Sequence, residues 1–132
     1  MKQFILFLLV IMVLGSCRKP VEPPTLTSVL ISKEWKVSLA REFGVTYTQY
    51  YSGMKFTFTN DGKLKVNDGT TIYNGTWSEN PNDGTFTMDI SSSLFQLDNI
   101  SQQWKVMTAS FTGVNLADAE ANITQELRFA NY

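Results

Sequence analysis

Residues 54–66 read Met-Lys-Phe-Thr-Phe-Thr-Asn-Asp-Gly-Lys-Leu-Lys-Val. Apolar and polar side chains alternate on both sides of Asn60-Asp61-Gly62, and a period of two is typical of a β-strand with one buried face. Asparagine, aspartate and glycine tolerate the positive φ angles that a tight turn requires. The segment therefore predicts a β-hairpin, whose core-facing side chains include Phe56, Phe58 and Leu64.

Two further turn signals follow this hairpin. Asn67-Asp68-Gly69 leads into a strand-like segment over residues 71–79, and a second polar turn over residues 80–84 leads into an alternating segment over residues 85–90. Both turns pair aspartate with glycine, which is a frequent hairpin signal. Three consecutive hairpins predict an antiparallel meander in the middle of the chain.

The flanking segments add strands to this meander. Residues 28–33 are expected to form a helical turn, residues 45–51 a second strand or an ordered crossing loop, and residues 91–103 a short helix or a long loop. Residues 34–43 alternate Trp35, Val37 and Leu39 with polar side chains, which predicts a strand with these three facing the core. Further strands are expected over residues 104–111 and 114–117 and around Ile123, Leu127 and Phe129.

These segments predict an all-β domain of about eight strands. Short, evenly spaced strands rich in β-branched and aromatic residues favour a small antiparallel up-and-down β-barrel, because closure removes exposed strand edges. A β-sandwich is the alternative architecture. A barrel of eight strands has an interior just wide enough to be filled by side chains or to hold one small ligand.

The first sixteen residues have the pattern of a secretory signal peptide. Lys2 is followed by an uncharged, apolar run from Phe4 to Leu14. Eleven residues would rise only about 16 Å as a helix, roughly half of the hydrocarbon thickness of a bilayer, so a permanent membrane span is disfavoured. We expect residues 1–16 to be removed after export.

The segment that ends this run, Leu14-Gly15-Ser16-Cys17, resembles the lipobox of bacterial lipoproteins. The resemblance implies that the Cys17 thiol receives a diacylglyceryl group and that cleavage makes this residue the new N-terminus. Two or more acyl chains hold a protein durably at a membrane. Residues 17–27 then form a proline-rich spacer between lipid and domain, and residues 28–132 form the domain.

The position after the cysteine bears on localisation. Arg18 stands there in place of an aspartate, which resembles lipoproteins that are sorted to the outer membrane, facing the periplasm or the cell surface. The alternative to lipidation is that Cys17 is a free or buried thiol. Because it is the only cysteine, no disulfide can form within one chain.

Several short motifs together resemble the lipocalin-like domain of small bacterial lipoproteins. They are Glu34-Trp35-Lys36-Val37, residues 56–63, Asn74-Gly75-Thr76-Trp77-Ser78, Leu97-Asp98-Asn99-Ile100 with Trp104-Lys105-Val106, and Glu126-Leu127-Arg128-Phe129. The resemblance covers roughly 100 residues and implies a lipocalin-like barrel that binds an apolar ligand. It further implies a cation–π contact of Arg128 with Trp35. Lys33 departs from the family, which has a glycine at this position.

The inward-facing side chains are candidates for the lining of an apolar cavity. In the alternative interpretation they fill the core, because many rings leave little volume in so small a barrel. The candidates for cavity lining are Trp35, Phe56, Phe58, Leu64, Phe86, Met88, Trp104 and Phe129.

The sequence lacks the residues of most hydrolase mechanisms. It contains no histidine, and lipidation would consume its one thiol. A glycan hydrolase with paired carboxylates is a third hypothesis, although the available acids are expected in turns or on outward faces: Asp89, Asp98, Asp118, Glu120 and Glu126. The Asp61-Gly62 and Asp68-Gly69 pairs lack the spacing of a calcium loop. We therefore expect no enzymatic activity, no cofactor and no metal.

Charge argues against a nucleic-acid partner. Removing residues 1–16 removes one lysine from the eleven basic residues and none of the twelve acidic ones, which leaves a net charge of −2. A nucleic-acid binder would show a basic surplus on one face. Five tyrosines would suit a sugar or protein partner if several cluster on one outer face; otherwise they form ordinary cross-strand pairs.

The sequence as a whole predicts a monomeric, membrane-anchored, lipocalin-like lipoprotein of the cell envelope. Its expected partners are the membrane, through the lipid, and a small apolar ligand or an envelope protein. The alternative is a structural or inhibitory interaction protein with a filled barrel.

Overall fold

The computed structural model describes residues 17–119 and 124–132. The predicted signal peptide (residues 1–16), Glu120 and Ile123 lie outside the described residues. In chain order the elements are α1 (Leu26–Leu30), β1 (Glu34–Glu42), β2 (Val45–Thr46), a 3₁₀ helix (Thr48–Tyr51), β3 (Lys55–Phe58), β4 (Lys63–Asn67), β5 (Ile72–Asn80), β6 (Thr85–Ile90), α2 (Phe95–Ile100), β7 (Gln103–Ser110), β8 (Gly113–Asp118) and β9 (Gln125–Asn131).

Eight of these strands form a closed antiparallel ring. The ring runs β1-β3-β4-β5-β6-β7-β8-β9, and β9 returns to β1 through seven residue pairs between Trp35↔Asn131 and Glu42↔Gln125. The two-residue strand β2 pairs with the end of β1, beside the stretch that β3 does not reach. The predicted small antiparallel up-and-down barrel is confirmed.

The three predicted hairpins are confirmed as β3–β4, β4–β5 and β5–β6. In the first hairpin Gly62 has a φ angle of 78°, and its N–H donates to the Thr59 carbonyl at 3.1 Å. This left-handed conformation is costly for residues with a Cβ, which explains the glycine. Gly75 serves a different purpose, because a Cβ there would lie 2.4 Å from the Asp89 carbonyl oxygen on β6.

A β-bulge changes the phase of β1. The pairing with β9 shifts between Val37 and Leu39, so Ser38 is the extra residue. As a result Ala40 is buried, whereas Leu39 is only partly buried. The prediction that Leu39 continues the core face is therefore wrong, since a bulge reverses the alternation beyond it. A similar shift in β7 leaves Met107 exposed.

Two segments for which the sequence left alternatives open each contain a short helix. Residues 45–51 split into β2 and the 3₁₀ helix, and residues 91–103 contain α2, which is the short helix expected there. The helical turn expected over residues 28–33 begins earlier, because Thr25 caps it by accepting a hydrogen bond from the Ser28 N–H at 3.1 Å.

The barrel has two distinct ends. The near end carries α1 and the β3–β4, β5–β6 and β7–β8 turns, since alternate connections of an antiparallel ring lie at opposite ends. The far end carries the β1–β2 turn, the 3₁₀ helix, the β4–β5 turn, α2 and the connection between β8 and β9. None of the helices in the described ranges combines the length and apolar character needed to cross a membrane.

Candidate functional site

All eight predicted lining residues lie inside the barrel and belong to one hydrophobic cluster. Each has at most 2% of its surface exposed. They are Trp35, Phe56, Phe58, Leu64, Phe86, Met88, Trp104 and Phe129. The predicted orientation of these side chains is therefore confirmed, while their role as the lining of a cavity stays a prediction.

Aromatic rings contact one another in the interior of the barrel. The Phe58 ring lies 5.9 Å from Trp77, 6.0 Å from Phe86 and 5.9 Å from Phe129, measured between centroids, and all three pairs have edge-to-face geometry. Such aromatic pairs contribute about 0.5–1.5 kcal/mol each beyond the area they bury. The described rings thus pack against each other as a core does.

Trp35 makes a structural contact at the near end. Its indole N–H donates to the Leu30 carbonyl at 2.9 Å, which ties β1 to α1. Arg128 lies on the outer face of β9 and pairs with Glu126 at 3.6 Å. The predicted cation–π contact of Arg128 with Trp35 is therefore wrong, because the two side chains lie on opposite faces of the sheet.

Three of the five tyrosines cluster together at the far end. Tyr47 and Tyr50 stack with an interplanar angle of 29° and a centroid distance of 6.3 Å, and Tyr51 follows them in the 3₁₀ helix. Tyr73 lies on β5, and Tyr132 follows β9 beneath the Lys55 ammonium, which lies 4.6 Å from its ring centroid. The sequence had left open whether several tyrosines cluster, and these three do.

Tyr51 is the buried member of this cluster. Its hydroxyl donates to the Gln96 carbonyl of α2 at 2.7 Å, so the hydrogen bond joins the 3₁₀ helix to α2 across the far end. Burial raises the pKa of the Tyr51 hydroxyl to about 12, and a side-chain hydrogen bond with Asn99 opposes the shift. The hydroxyl therefore stays protonated and continues to donate at physiological pH.

Three adjoining depressions lie at the far end, and the tyrosines line two of them. The first, of about 320 Å³, is lined by Arg41, Phe43 and Glu126 among others. The other two are small crevices of about 10 Å³ each. Neighbouring depressions share walls, because Arg41 and Glu126 also line the second one, which in turn shares Glu42, Tyr47, Tyr51 and Asn99 with the third.

We call this continuous surface the far rim. Exposed rings stand along it: 76% of Phe43, 54% of Tyr50 and 69% of Phe95 is accessible to solvent. Polar groups lie between the rings, and the Arg41 guanidinium forms an ion pair with Glu126. The far rim comprises Arg41, Glu42, Phe43, Tyr47, Tyr50, Tyr51, Phe95, Gln96, Asn99 and Glu126.

Phe43 occupies an unfavourable backbone conformation. It and Gly44 form the two-residue β1–β2 turn with φ angles of 47° and 81°. Turns with two positive φ angles favour Asn-Gly, and a bulky residue in this region costs about 1–2 kcal/mol. A phenylalanine before glycine in a tight turn was the sequence signal for an exposed ring, and periodicity alone missed it.

A separate groove of about 440 Å³ lies on the side of the barrel and is lined by residues of β1 and the 3₁₀ helix. Lys36, Gln49, Ser52 and Tyr132 are among its lining residues. Only two residue pairs join β1 to β3, against seven between β1 and β9, so β1 is weakly paired on the side that faces the groove. Its one strongly exposed ring is Tyr132.

The candidate carboxylates of a glycan hydrolase are dispersed. Asp118 accepts hydrogen bonds from the N–H and hydroxyl of Thr124, Glu126 pairs with two arginines, and Asp89 and Asp98 are exposed. Within residues 17–119 and 124–132, no group of three or more side chains is arranged to hold a metal ion.

Comparison with known proteins identifies the fold. No protein-family model and no curated protein matches the sequence. The structure of a DUF4847 family protein from Bacteroides vulgatus is similar, with a TM-score of 0.64, 13% identity and coverage of 82% of this chain and 98% of that one. A lipocalin-like protein from Bacteroides uniformis has a TM-score of 0.56, 14% identity and coverage of 77% and 98%. The barrel has a lipocalin-like fold.

Replacing Phe43 should stabilise this lipocalin-like barrel. Asparagine adopts the left-handed conformation at lower cost, so Phe43→Asn is expected to raise the free energy of unfolding by about 1 kcal/mol, measured by urea denaturation. Phe43→Leu retains a bulky side chain at the same φ and should leave the value close to that of the wild type. A loss of stability in Phe43→Asn would mean that the ring supports the fold.

Removing the Tyr51 hydroxyl should change stability in a pH-dependent way. Tyr51→Phe deletes the bond to Gln96 and is expected to cost about 1 kcal/mol at neutral pH. Because the folded-state pKa lies above the unfolded value of 10, the stabilisation by Tyr51 is fully present below pH 10 and is lost as pH rises towards 12.

Denaturation curves collected between pH 8 and 12 test this expectation. The wild type should lose more stability over this interval than Tyr51→Phe does. Equal losses in the two proteins would show that the hydroxyl is not preferentially protonated in the folded state. Tyr50→Phe, which alters an exposed ring beside it, serves as the stability control at neutral pH.

Proposed function

We propose that this protein is a non-enzymatic lipoprotein of the cell envelope, in which a lipocalin-like barrel acts as a binding module tethered to a membrane. The observation that carries the proposal is the position of Cys17. It is exposed, follows the Leu14-Gly15-Ser16 motif and begins an extended segment ahead of α1. A lipid on this thiol would meet no steric obstacle from the barrel.

The spacer supports a tethering role. All of residues 17–25 are exposed and without regular structure, and prolines at positions 20, 23 and 24 favour extended backbone. Nine extended residues span at most about 30 Å. Such a spacer would hold the near end of the barrel close to the membrane while leaving the domain free to rotate.

The far rim is the proposed binding surface. It gathers exposed aromatic rings and polar groups at the end of the barrel opposite the spacer, and binding residues commonly stand on loops held by a rigid scaffold. The core rings contact each other directly, which favours a partner that binds at the surface over one enclosed in the barrel. We place the protein in the outer membrane, facing the periplasm or the cell surface, as Arg18 after the cysteine suggests.

The absence of histidine from the sequence and the dispersion of the described carboxylates support a function without catalysis. Inverting and retaining glycosidases both require two carboxyl groups that flank one bond. Asp118 and Glu126 are instead engaged with Thr124 and arginine partners. Binding is therefore the activity that these side chains support best.

Replacement of the cysteine tests the anchor. Cells expressing Cys17→Ser should incorporate no labelled palmitate into the protein, which should move from the membrane pellet to the soluble or unprocessed fraction. Ser16→Ala keeps a small residue before the cysteine and should label as the wild type does. Fatty-acid labelling of Cys17→Ser would refute the proposed modification.

Carriage of a small apolar ligand inside the barrel is the second candidate, and the lipocalin-like fold favours it. Native mass spectrometry of the gently purified protein distinguishes the two. We expect the mass of the covalently lipidated chain alone, since the interior rings occupy the space of a ligand. Release of a stoichiometric apolar molecule on mild activation, reduced by Phe58→Trp, would favour carriage instead.

A further inference from the structure

We propose that the far rim binds a neutral glycan chain, with the exposed rings of Phe43, Tyr50 and Phe95 as its stacking platforms. The inference rests on the proposed function, because it assigns a ligand class to the surface of that binding module. It is carried by the order of rings and polar groups along the rim, by the charge of the rim and by its orientation relative to the tether.

The rim has the shape of a track. The three adjoining depressions share their walls in sequence. Phe43 lines the first, Tyr47 lines the second and third, and Tyr50 and Phe95 line the third. At about 10 Å³ each, the two depressions around the tyrosines are too small to enclose a ligand. A chain of sugar rings that lies along the surface suits this shape.

The chemistry of the track matches that of a sugar. A pyranose ring has a face of C–H groups that packs on an aromatic plate, and a rim of hydroxyls that donate and accept hydrogen bonds. Tyrosine combines a plate with a hydroxyl. Beside the rings, the Glu42 carboxylate can accept hydrogen bonds from a ligand, and the Gln96 and Asn99 amides can both donate and accept them.

The charge of the rim disfavours an anionic ligand. Arg41 and Glu126 form an ion pair between the first and second depressions, so their charges offset each other. Glu42 makes no ion pair with any residue in the described ranges. A polyanion would face this carboxylate, whereas a neutral ligand can use it as an acceptor.

A protein partner is the less suitable occupant. The centre of a protein interface is typically apolar and depleted in charged side chains, with the polar groups at its edge. Here Arg41, Glu42 and Glu126 lie between the aromatic rings. The rim therefore lacks the continuous apolar centre that would be desolvated on protein binding.

The anchoring membrane is also a poor occupant. The spacer joins the barrel at α1, which Thr27 and Trp35 fix to the near end through bonds to Glu79 and Leu30. The spacer would have to run along the barrel wall to bring the far rim to the membrane, yet its residues are all exposed. The rim thus lies at the end of the barrel opposite the one to which the spacer is attached.

The experiment uses the full-length lipidated protein, solubilised in a zwitterionic detergent that carries no sugar headgroup. A glycan array of neutral oligosaccharides, covering α- and β-linked glucans, mannans, galactans and xylans, is probed first. Dissociation constants for the strongest glycan are then measured by titration calorimetry. Tyr50→Ala and Phe95→Ala are each expected to weaken binding by roughly tenfold or more, as for the loss of one stacking platform.

Tyr132→Ala is the matched control. Tyr132 has nearly the same exposure as Tyr50, 56% against 54%, but it lines the side groove rather than the rim. Its replacement should leave the dissociation constant unchanged. Thermal unfolding of all three variants verifies that the barrel is intact, since each substitution is on the surface.

Three results would overturn the inference. The first is an array without binding, and the second is glycan binding that Tyr132→Ala abolishes and Tyr50→Ala does not. The third is crosslinking of an envelope protein to the rim, lost in Tyr50→Ala, when no glycan binds. The palmitate label tests the anchor separately: a labelled protein without glycan binding refutes this inference alone, and an unlabelled protein that binds glycan through Tyr50 refutes only the anchor.

Discussion

Closure of the sheet between β1 and β9 is the constraint on which the rest of the structure depends. Seven residue pairs join the first and last strands of the ring, so in the described residues the open edge is limited to β2 and to the stretch of β1 that neither β2 nor β3 reaches. A closed ring must fill its interior from the inward face of every strand. The bulge at Ser38 is compatible with both closure of the ring and filling of its interior, because it bends β1 while Trp35, Val37 and Ala40 still face inward.

The contacts among the interior rings favour binding at the ends and sides of the barrel, as proposed above, and the two ends differ. At the near end, α1 packs over the opening and accepts the Trp35 indole bond through Leu30. At the far end, the 3₁₀ helix and α2 are joined by the Tyr51 hydroxyl and present rings to solvent. The near end therefore connects to the spacer, and the far end carries the surface proposed for recognition.

Local patterns in the sequence predicted the hairpins well, because alternation and turn chemistry act between near neighbours. The same reasoning failed at Leu39, where one inserted residue reverses the phase, and at Arg128, whose neighbours are set by the pairing of β9. Phe43 and Phe95 were missed as surface residues because each lies outside a regular alternation. Their exposure depends on loops that are distant in sequence.

By itself the sequence determined the all-β class, the strand positions, the inward set from Trp35 to Phe129, and the candidate lipid site at Cys17. These follow from short-range periodicity and from a contiguous motif. Only the tertiary structure decided the ring closure, the phase of β1, and the gathering of Phe43, Tyr50 and Phe95 at one end. Those features arise from register and shear between strands, which depend on contacts between residues far apart in the chain.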